Sequence, residues 1–244
     1  MANERKSIIV EKHLVATESV TLLYRHIIEA DRTEARRLLS AAAAGMGYND
    51  ALRNILEPTL RMVGERWASD GISLAQGFVA GKVAEDFLVL GKVQNVSRHP
   101  AEAETAEADG TRLPPRIAVL GNVEDDYHVL GRSMVASFLA IEGWNIVDLG
   151  CDVLAEEFVD RASEAGACVI GASAMMLTTA RNIVKIRQVL EDRGLAGHLK
   201  LAVGGAVFAM RPDLVGEVGG DGTARTALEA PALFELLRKK AGYA

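Results

Sequence analysis

The chain has 244 residues, of which 49% are hydrophobic and 25% are charged. This composition is that of a globular protein with room for two modest domains, and it excludes a chain that is disordered as a whole. The net charge of −6, without clustered Lys and Arg between aromatic side chains, argues against a direct nucleic-acid partner.

Neither the N-terminus nor the cysteines indicate export or a membrane. Residues 1–6 lead into no apolar stretch of signal length, and no later apolar run is long enough to span a bilayer. Cys151 and Cys168 form no metal-binding or redox spacing. Because free thiols suit a reducing compartment, the sequence predicts a cytoplasmic protein without membrane contact.

Residues 1–97 predict a bundle of four or five helices, because their apolar side chains recur at helical spacing. Asp31 is expected to cap a second helix over 33–44, and Asn49 to open a third through residue 55. Pro58 is expected in the first turn of a fourth helix, and Ser73 at the cap of a long fifth one.

Residues 98–115 are rich in Ala, acidic residues and Pro, and they contain almost no large apolar side chain. Such a segment cannot support a core of its own. It predicts a linker between the bundle at 1–97 and a second domain at 116–244.

From residue 116 onward, short apolar segments alternate with amphipathic helical ones. Strands are expected at 117–121, 145–149, 168–172 and 199–203, with a weak fifth one near 219–221. Helices are expected near 129–142, 155–165, 178–193 and 226–241. This α/β alternation predicts a doubly wound, flavodoxin-like (Rossmann-like) parallel sheet of five strands, with helices on both faces.

Small and polar residues follow the predicted strands, which places them together at one edge of the sheet. They are Asp126, His128 and Gly131; Ser173, Met175, Thr178 and Thr179; Gly204 and Gly205; and Asp221 and Gly222. Each by itself is ordinarily a helix cap or part of a tight turn. Together, hydroxyl groups and bare backbone along one cleft suit a ligand with a long polar tail, such as a nucleotide.

His128 is the candidate metal ligand of this edge. Asp126, two residues earlier, can accept the second ring proton of His128, and Gly131 leaves room for a bulky ligand. An imidazole with a carboxylate partner is a common metal ligand. The alternative is that Asp126 caps the following helix and His128 is a solvated loop residue.

Two related domain types fit less well. A phosphoryl-accepting receiver domain needs a carboxylate after its third strand and a lysine after its fifth, where this chain has Ser173 and Asp221-Gly222-Thr223. A dinucleotide-binding domain needs Gly-x-Gly-x-x-Gly after its first strand, and Gly121-Asn122-Val123 does not supply it.

Most of residues 116–244 resemble the cobalamin-binding domain family, whose pattern is Asp-x-His-x-x-Gly, Ser-x-Leu and Gly-Gly. Residues 126–131 match its first part, Ser173 its second with Met175 in place of Leu, and Gly204-Gly205 its third. The segment Val-Gly-Glu-Arg-Trp at 63–67, followed by Asp-Gly at 70–71, resembles the helical module of corrinoid proteins of methyltransferase systems and of cobalamin-dependent regulators.

The resemblance implies a cobalamin cofactor, methylcobalamin or another corrinoid, whose own base is displaced. His128 would be the lower axial ligand of cobalt, Asp126 would accept its other ring proton, and Thr179 or Thr178 would donate to Asp126. Other residues would contact the cofactor or its nucleotide tail: Gly131, Ser173, Met175, Gly204, Gly205, Asp221, Gly222 and, from the bundle over the upper face, Trp67. Ordinary bundle core is the alternative for Trp67.

The function implied is that of a methyl carrier, a corrinoid protein that accepts a methyl group on one methyltransferase and yields it on another. The sequence contains no barrel, zinc site or catalytic triad, so we expect no catalytic residue in it and a need for partner methyltransferase proteins. The methyl donor and acceptor, the upper axial ligand and a homo-oligomer stay open.

A cobalamin-dependent sensor of light or a ligand is the alternative function. Gly77-Phe78 stand where light-sensing relatives have Glu-His, and no helix-turn-helix domain precedes the bundle, although Trp67 is more typical of that branch. The small subunit of a cobalamin-dependent mutase would explain the second half of the chain only.

Overall fold

The computed structural model of the protein describes residues 16–69, 71–96 and 116–242. The chain divides into two compact units between Glu102 and Ala103. The predicted linker at 98–115 lies outside the described residues, so the domain bounds 1–97 and 116–244 stay predictions. Among the helices of the described residues, none is long and apolar enough to cross a membrane.

Unit 1 is helical throughout its described part. Its elements are α1 (16–28), α2 (Arg32–Met46), α3 (Tyr48–Ala51), a π-helical turn (Leu52–Leu56), α4 (Glu57–Ala68) and α5 (Leu74–Val96). Asp31 caps α2 as predicted, because its side chain accepts a hydrogen bond from the Glu34 N–H at 3.0 Å. Ser73 and Gln76 exchange hydrogen bonds before α5, in the manner of a capping box.

The predicted third and fourth helices run into each other. Pro58 does lie in the first turn of α4, but no loop separates that helix from α3. The π-helical turn joins them, with the Glu57 N–H donating to the Leu52 carbonyl. Because this turn widens the helix directly before Pro58, the missing proline N–H is accommodated without a break.

The core of unit 1 is apolar and includes side chains from several of its helices. Leu23 and Ile27 of α1, Leu39 of α2 and Phe87 of α5 are almost fully buried. The Tyr48 ring stacks on Phe87 with ring centroids 4.8 Å apart. This burial, rather than helix propensity, supplies most of the stability of such a bundle.

Unit 2 is a parallel sheet with the order β2-β1-β3-β4, which confirms the predicted doubly wound arrangement. The strands are β1 (Ile117–Asn122), β2 (Asn145–Asp148), β3 (Val169–Ser173) and β4 (Lys200–Gly204). The helices are α6 (Val129–Ile141), α7 (Ala155–Ala165), α8 (Leu177–Ala180), α9 (Ile183–Asp192), α10 (Ala206–Met210), α11 (Leu214–Glu217) and α12 (Ala230–Lys240), the last preceded by a 3₁₀ turn (Ala227–Glu229).

Side chains of the strands alternate between two cores, one on each face of the sheet. Val119 and Ile170 pack on one face with Phe158 of α7 and Leu190 of α9. On the other face Leu120 packs with residues that include Leu139 of α6 and Phe234 of α12. Strands β1, β3 and β4 are therefore covered on both sides, which explains why their sequences are almost continuously apolar, whereas the edge strand β2 is only partly buried.

The predicted fifth strand near 219–221 is wrong, since the described sheet has four strands. Gly222 makes only an isolated bridge to Ala202. The Leu201 N–H, at the edge of β4, donates to the Asp221 carboxylate at 2.7 Å instead of to the backbone of another strand. Arg187 holds the same carboxylate from α9 at 2.8 Å. Within the described residues, the backbone pairing of this segment with β4 is therefore limited to two hydrogen bonds, from the Asp221 N–H to the Leu201 carbonyl and from the Val203 N–H to the Gly222 carbonyl.

Asp221→Ala is expected to lower the free energy of unfolding by about 2 kcal/mol, because it removes two charge-assisted hydrogen bonds from a half-buried position. Chemical denaturation followed by circular dichroism measures this loss. Asp213→Ala is the matched control, since that exposed carboxylate pairs with the exposed Arg211 and its loss should leave the stability nearly unchanged. Equal losses in the two variants would contradict the role of Asp221.

Candidate functional site

Asp126 lies fully buried in the loop between β1 and α6. Its Oδ1 accepts hydrogen bonds from the Asn122 side-chain amide at 2.8 Å and the His128 N–H at 3.0 Å. Its Oδ2 accepts from the Met175 N–H at 2.7 Å and the Thr179 hydroxyl at 3.0 Å. Donors from β1, from its own loop and from the segment after β3 therefore converge on one carboxylate.

These donors decide the charge of Asp126. Burial by itself raises the pKa of the carboxyl, but the hydrogen bonds from Met175, His128, Asn122 and Thr179 outweigh burial and hold that pKa below its ordinary value. Asp126 is consequently an anion at neutral pH.

His128 lies beside this anion, at the start of α6. Its Nδ1 is 3.3 Å from Asp126 Oδ1, and half of the side chain is exposed. An ionised carboxylate can only accept a hydrogen bond, so Nδ1 carries a ring proton, and in the neutral imidazole Nε2 keeps its lone pair. The arrangement therefore presents one oriented nitrogen donor at the carboxyl edge of the sheet.

The loop that carries His128 is fixed from the neighbouring β2–α7 connection. The Asp152 carboxylate accepts hydrogen bonds from the Asp125 N–H and from the Tyr127 hydroxyl, each at 2.8 Å. Asp125 has a φ of 65° and thus lies in the left-handed region, which Asp tolerates better than most residues. The turn at Asp125, held by Asp152, leads the chain from the end of β1 into α6.

A partly open cavity of about 240 Å³ lies at the same edge of unit 2. Four of the predicted site residues line it, namely Gly131, Ser173, Gly204 and Gly205. Its other lining residues are mostly small or apolar and come from β1, β3, β4, α6, α10, α12 and residues 224–227, with Arg132 and Arg225 as the charged ones. The cavity thus offers a slot with bare backbone along its wall, beside the His128 loop.

The remaining predicted residues are placed differently. Thr179 rather than the exposed Thr178 donates to Asp126, and Met175 contributes its backbone N–H while its side chain is exposed. Asp221 and Gly222 lie outside the cavity lining, and the Asp221 carboxylate binds Arg187. The Trp67 side chain lies outside the described residues, so its predicted role stays a prediction.

Asn122 and Arg132 belong to this network and were not among the predicted site residues. Asn122 is fully buried at the end of β1, and Arg132 of α6 is 6% exposed. Arg132 Nε donates to Asn122 Oδ1 at 2.7 Å, and its guanidinium also contacts the carboxylate of Asp148, the last residue of β2. The available signal was an amide at the end of an apolar strand, with an arginine four residues after His128 on the following helix.

Comparison with known proteins identifies the family. Models described as B12 binding domain match residues 116–232 and residues 21–88. The chain is 30% identical to the trimethylamine corrinoid protein 1 of Methanosarcina acetivorans over 188 residues, which is 70% of this chain and 86% of that protein. The chain belongs to the corrinoid protein family.

Two further matches support the assignment. The trimethylamine corrinoid protein 1 of Methanosarcina mazei is 40% identical over 160 residues, or 61% of this chain and 73% of that protein. The structure of the Methanosarcina barkeri monomethylamine corrinoid protein aligns with a TM-score of 0.69 and 26% identity, covering 90% of this corrinoid protein and 99% of that chain. The predicted corrinoid protein of the methyl-carrier kind and its cobalamin-type cofactor are thereby confirmed.

The residues of the site fit such a cofactor. His128 offers a single nitrogen backed by an anion, which is a donor set suited to one axial position of a metal that a macrocycle already holds. A Cβ atom placed on Gly204 would meet nothing within 4 Å, so the cavity beside His128 and Asp126 has free space along its wall. The contacts of individual residues with the cofactor stay predictions.

Proposed function

We propose that this corrinoid protein carries methyl groups on a cobalt corrinoid bound in the His-on, base-off form, with His128 as the lower axial ligand. The observation that carries the proposal is the buried Asp126 anion, 3.3 Å from His128 Nδ1. A bound corrinoid supplies a cobalt ion that can accept a methyl group and give it up again.

Asp126 orients the His128 ring and raises the basicity of Nε2, because it accepts the proton on the opposite nitrogen. Thr179 and the Met175 N–H hold Asp126 in place from the segment after β3. Loss of this hydrogen bond would reduce the donor strength of Nε2. The protein thus sets the strength of its proposed axial ligand through one buried carboxylate.

The cavity beside His128 and Asp126 is proposed to take the displaced nucleotide tail of the corrinoid. Gly131, Gly204 and Gly205 expose backbone along its wall, and Ser173 adds a hydroxyl that can donate to or accept from a polar tail. Small apolar neighbours leave room for a flat aromatic base.

Methylated amines are the proposed source of the methyl group, and the names of the relatives support this choice. Two of them are trimethylamine corrinoid proteins, and the aligned structure is that of a monomethylamine corrinoid protein. His128 and Asp126 are proposed to hold a cofactor rather than an amine. One partner methyltransferase would therefore break the carbon–nitrogen bond and pass the methyl group to the corrinoid, and another would receive the methyl group from it. A cytoplasmic location and a homo-oligomer stay predictions.

The test is His128→Ala, loaded with hydroxocobalamin. We expect the visible spectrum to lose the signature of histidine ligation and the affinity for the cofactor to fall by about 100-fold. Loss of a direct metal ligand should weaken binding at least as much as loss of a hydrogen-bond partner of that ligand. Titration followed by absorbance and by equilibrium dialysis measures both. Methyl transfer from a methylamine, with its methyltransferase present, should fall in parallel.

His198→Ala is the matched control, because His198 is an exposed histidine of the same unit on the α9–β4 connection. This variant should have the same visible spectrum with hydroxocobalamin, and the same affinity for it, as the wild-type protein. If His128→Ala kept them too, His128 would not be the axial ligand and the proposed binding mode would be wrong.

A further inference from the structure

The side-chain amide of Asn122 contacts Asp126 but takes part in none of the cofactor contacts proposed above. The Asn122 Nδ2 donates to Asp126 Oδ1 at 2.8 Å and to the His128 carbonyl at 3.1 Å. One fully buried side chain therefore contacts both the carboxylate and the backbone of the candidate axial ligand.

The orientation of this amide is set by Arg132. An asparagine amide can be turned by 180°, and the two orientations exchange donor and acceptor. Arg132 Nε can only donate, and it lies 2.7 Å from Asn122 Oδ1. The oxygen must therefore face Arg132, which leaves both amide hydrogens for Asp126 and the His128 carbonyl.

Arg132 is itself fixed by its surroundings. It lies on α6, one turn after His128, where it is 6% exposed, and its guanidinium contacts Asp148 at the end of β2. The resulting chain runs from β2 through α6 and β1 to the His128 loop. A buried chain of charge-assisted hydrogen bonds of this kind holds its members more rigidly than separate pairs would.

We propose that Asn122 and Arg132 are positioning residues for His128, with Arg132 orienting the Asn122 amide and that amide orienting both Asp126 and the His128 backbone. The inference rests on the proposed function, because it takes His128 as the axial ligand. It adds two residues that determine how well the imidazole is aimed, one of which, Arg132, also lines the cavity proposed for the nucleotide tail.

The experiment is a double-mutant cycle on the full chain, with hydroxocobalamin as the ligand. Asn122→Leu keeps the branched shape of the side chain, with a larger volume, but removes both donors, and Arg132→Met removes the group that orients the amide. Each is expected to weaken cofactor binding by about tenfold and to reduce the His-ligated fraction in the spectrum. In the His128→Ala background Asn122→Leu should change the affinity by less than about twofold, because Asn122 acts through His128. Arg132 also lines the cavity, so the effect of Arg132→Met on the imidazole is measured by the His-ligated fraction in the spectrum rather than by the affinity.

The controls are one asparagine and one arginine outside the network. Asn182 donates its side-chain amide to the Glu124 carbonyl at 3.0 Å, in the same loop but away from the carboxylate. Arg238 is 6% exposed, as Arg132 is, and pairs with Glu235 on α12. Asn182→Ala and Arg238→Met should leave the spectrum of the bound cofactor unchanged. If Asn122→Leu does not fold, Asn122→Asp keeps the shape and the oxygen facing Arg132 and has the same expected result.

The outcomes separate this inference from the proposed function. Equal weakening by Asn122→Leu with and without His128, or no weakening in either background, would overturn the role of Asn122. An unchanged His-ligated fraction in the spectrum of Arg132→Met would overturn the role of Arg132. Both results would leave His128 as the axial ligand. If His128→Ala alone had no effect on the spectrum or affinity, the proposed function itself would fail.

Discussion

Asp126→Asn is expected to lower the free energy of unfolding by about 3 kcal/mol, although the two side chains have nearly the same shape. In one orientation the new NH₂ group faces the His128 N–H, and in the other it faces the Met175 N–H. Neither backbone group can donate to it, so one buried N–H loses its partner whichever way the amide turns. Chemical denaturation at pH 7 measures the difference.

The stability difference should also depend on pH, in a predictable direction. The folded pKa of Asp126 lies below its ordinary value, so the unfolded chain binds a proton at that position more readily than the folded one. The contribution of Asp126 is therefore fully present above the unfolded pKa of about 3.9 and is lost as the pH falls through the folded pKa. The gap between Asp126→Asn and the unchanged protein should narrow over that acidic window.

The control for this prediction is Asp160→Asn. Asp160 is 51% exposed and pairs with Arg193 at the surface of unit 2, so its loss should cost less than about 1 kcal/mol. A difference for Asp126→Asn as small as that of the control, or one that grew toward acid pH, would contradict an anionic Asp126. The same variant should bind hydroxocobalamin about 10- to 100-fold more weakly, because the outer partner of His128 is changed.

Gly205→Ala is the second large effect expected. Gly205 has a φ of 117° and a ψ of 168°, a conformation that is accessible almost only to glycine. A Cβ atom there would lie 1.9 Å from the Ala174 carbonyl oxygen. The backbone must therefore move either in the segment after β3, which contains Ala174, or in the segment after β4, which contains Gly205. Strain and overlap together should lower the free energy of unfolding by about 3 to 5 kcal/mol.

Gly216→Ala is the matched control, since Gly216 lies on α11, is exposed and would place its Cβ atom more than 4 Å from any other group. Its stability should change by less than about 1 kcal/mol, in the direction of greater stability. Thermal and chemical unfolding followed by circular dichroism compare the two. Because Gly205 lines the cavity, Gly205→Ala should also weaken cobalamin binding, and a variant as stable and as tightly binding as Gly216→Ala would refute the close approach.

The strand pattern of unit 2 was predictable because it depends on local periodicity. Apolar runs such as that of β1 alternate with amphipathic helices, and this alternation predicts a doubly wound sheet without knowledge of any contact. The fifth strand could not be predicted correctly in the same way. The Asp221 carboxylate takes the N–H of Leu201 that another strand would need, and this competition between side chain and backbone has no local signature.

The same distinction applies to the candidate site. The spacing of Asp126 and His128 and the glycines after β4 were visible in the sequence, because a motif and its strand ends are local. The choice of Thr179 over Thr178 was not, since it depends on which face of α8 meets a carboxylate 53 residues earlier in the chain.

The sequence by itself predicted a two-part organisation, the order of the sheet and the residue types of the proposed corrinoid site. Only the tertiary structure decided which donors surround the Asp126 carboxylate, and it added Asn122 to them and Arg132 behind Asn122. The physical reason is that a buried polar group must find partners wherever the fold brings them, and here they come from three strand ends that are far apart in the chain.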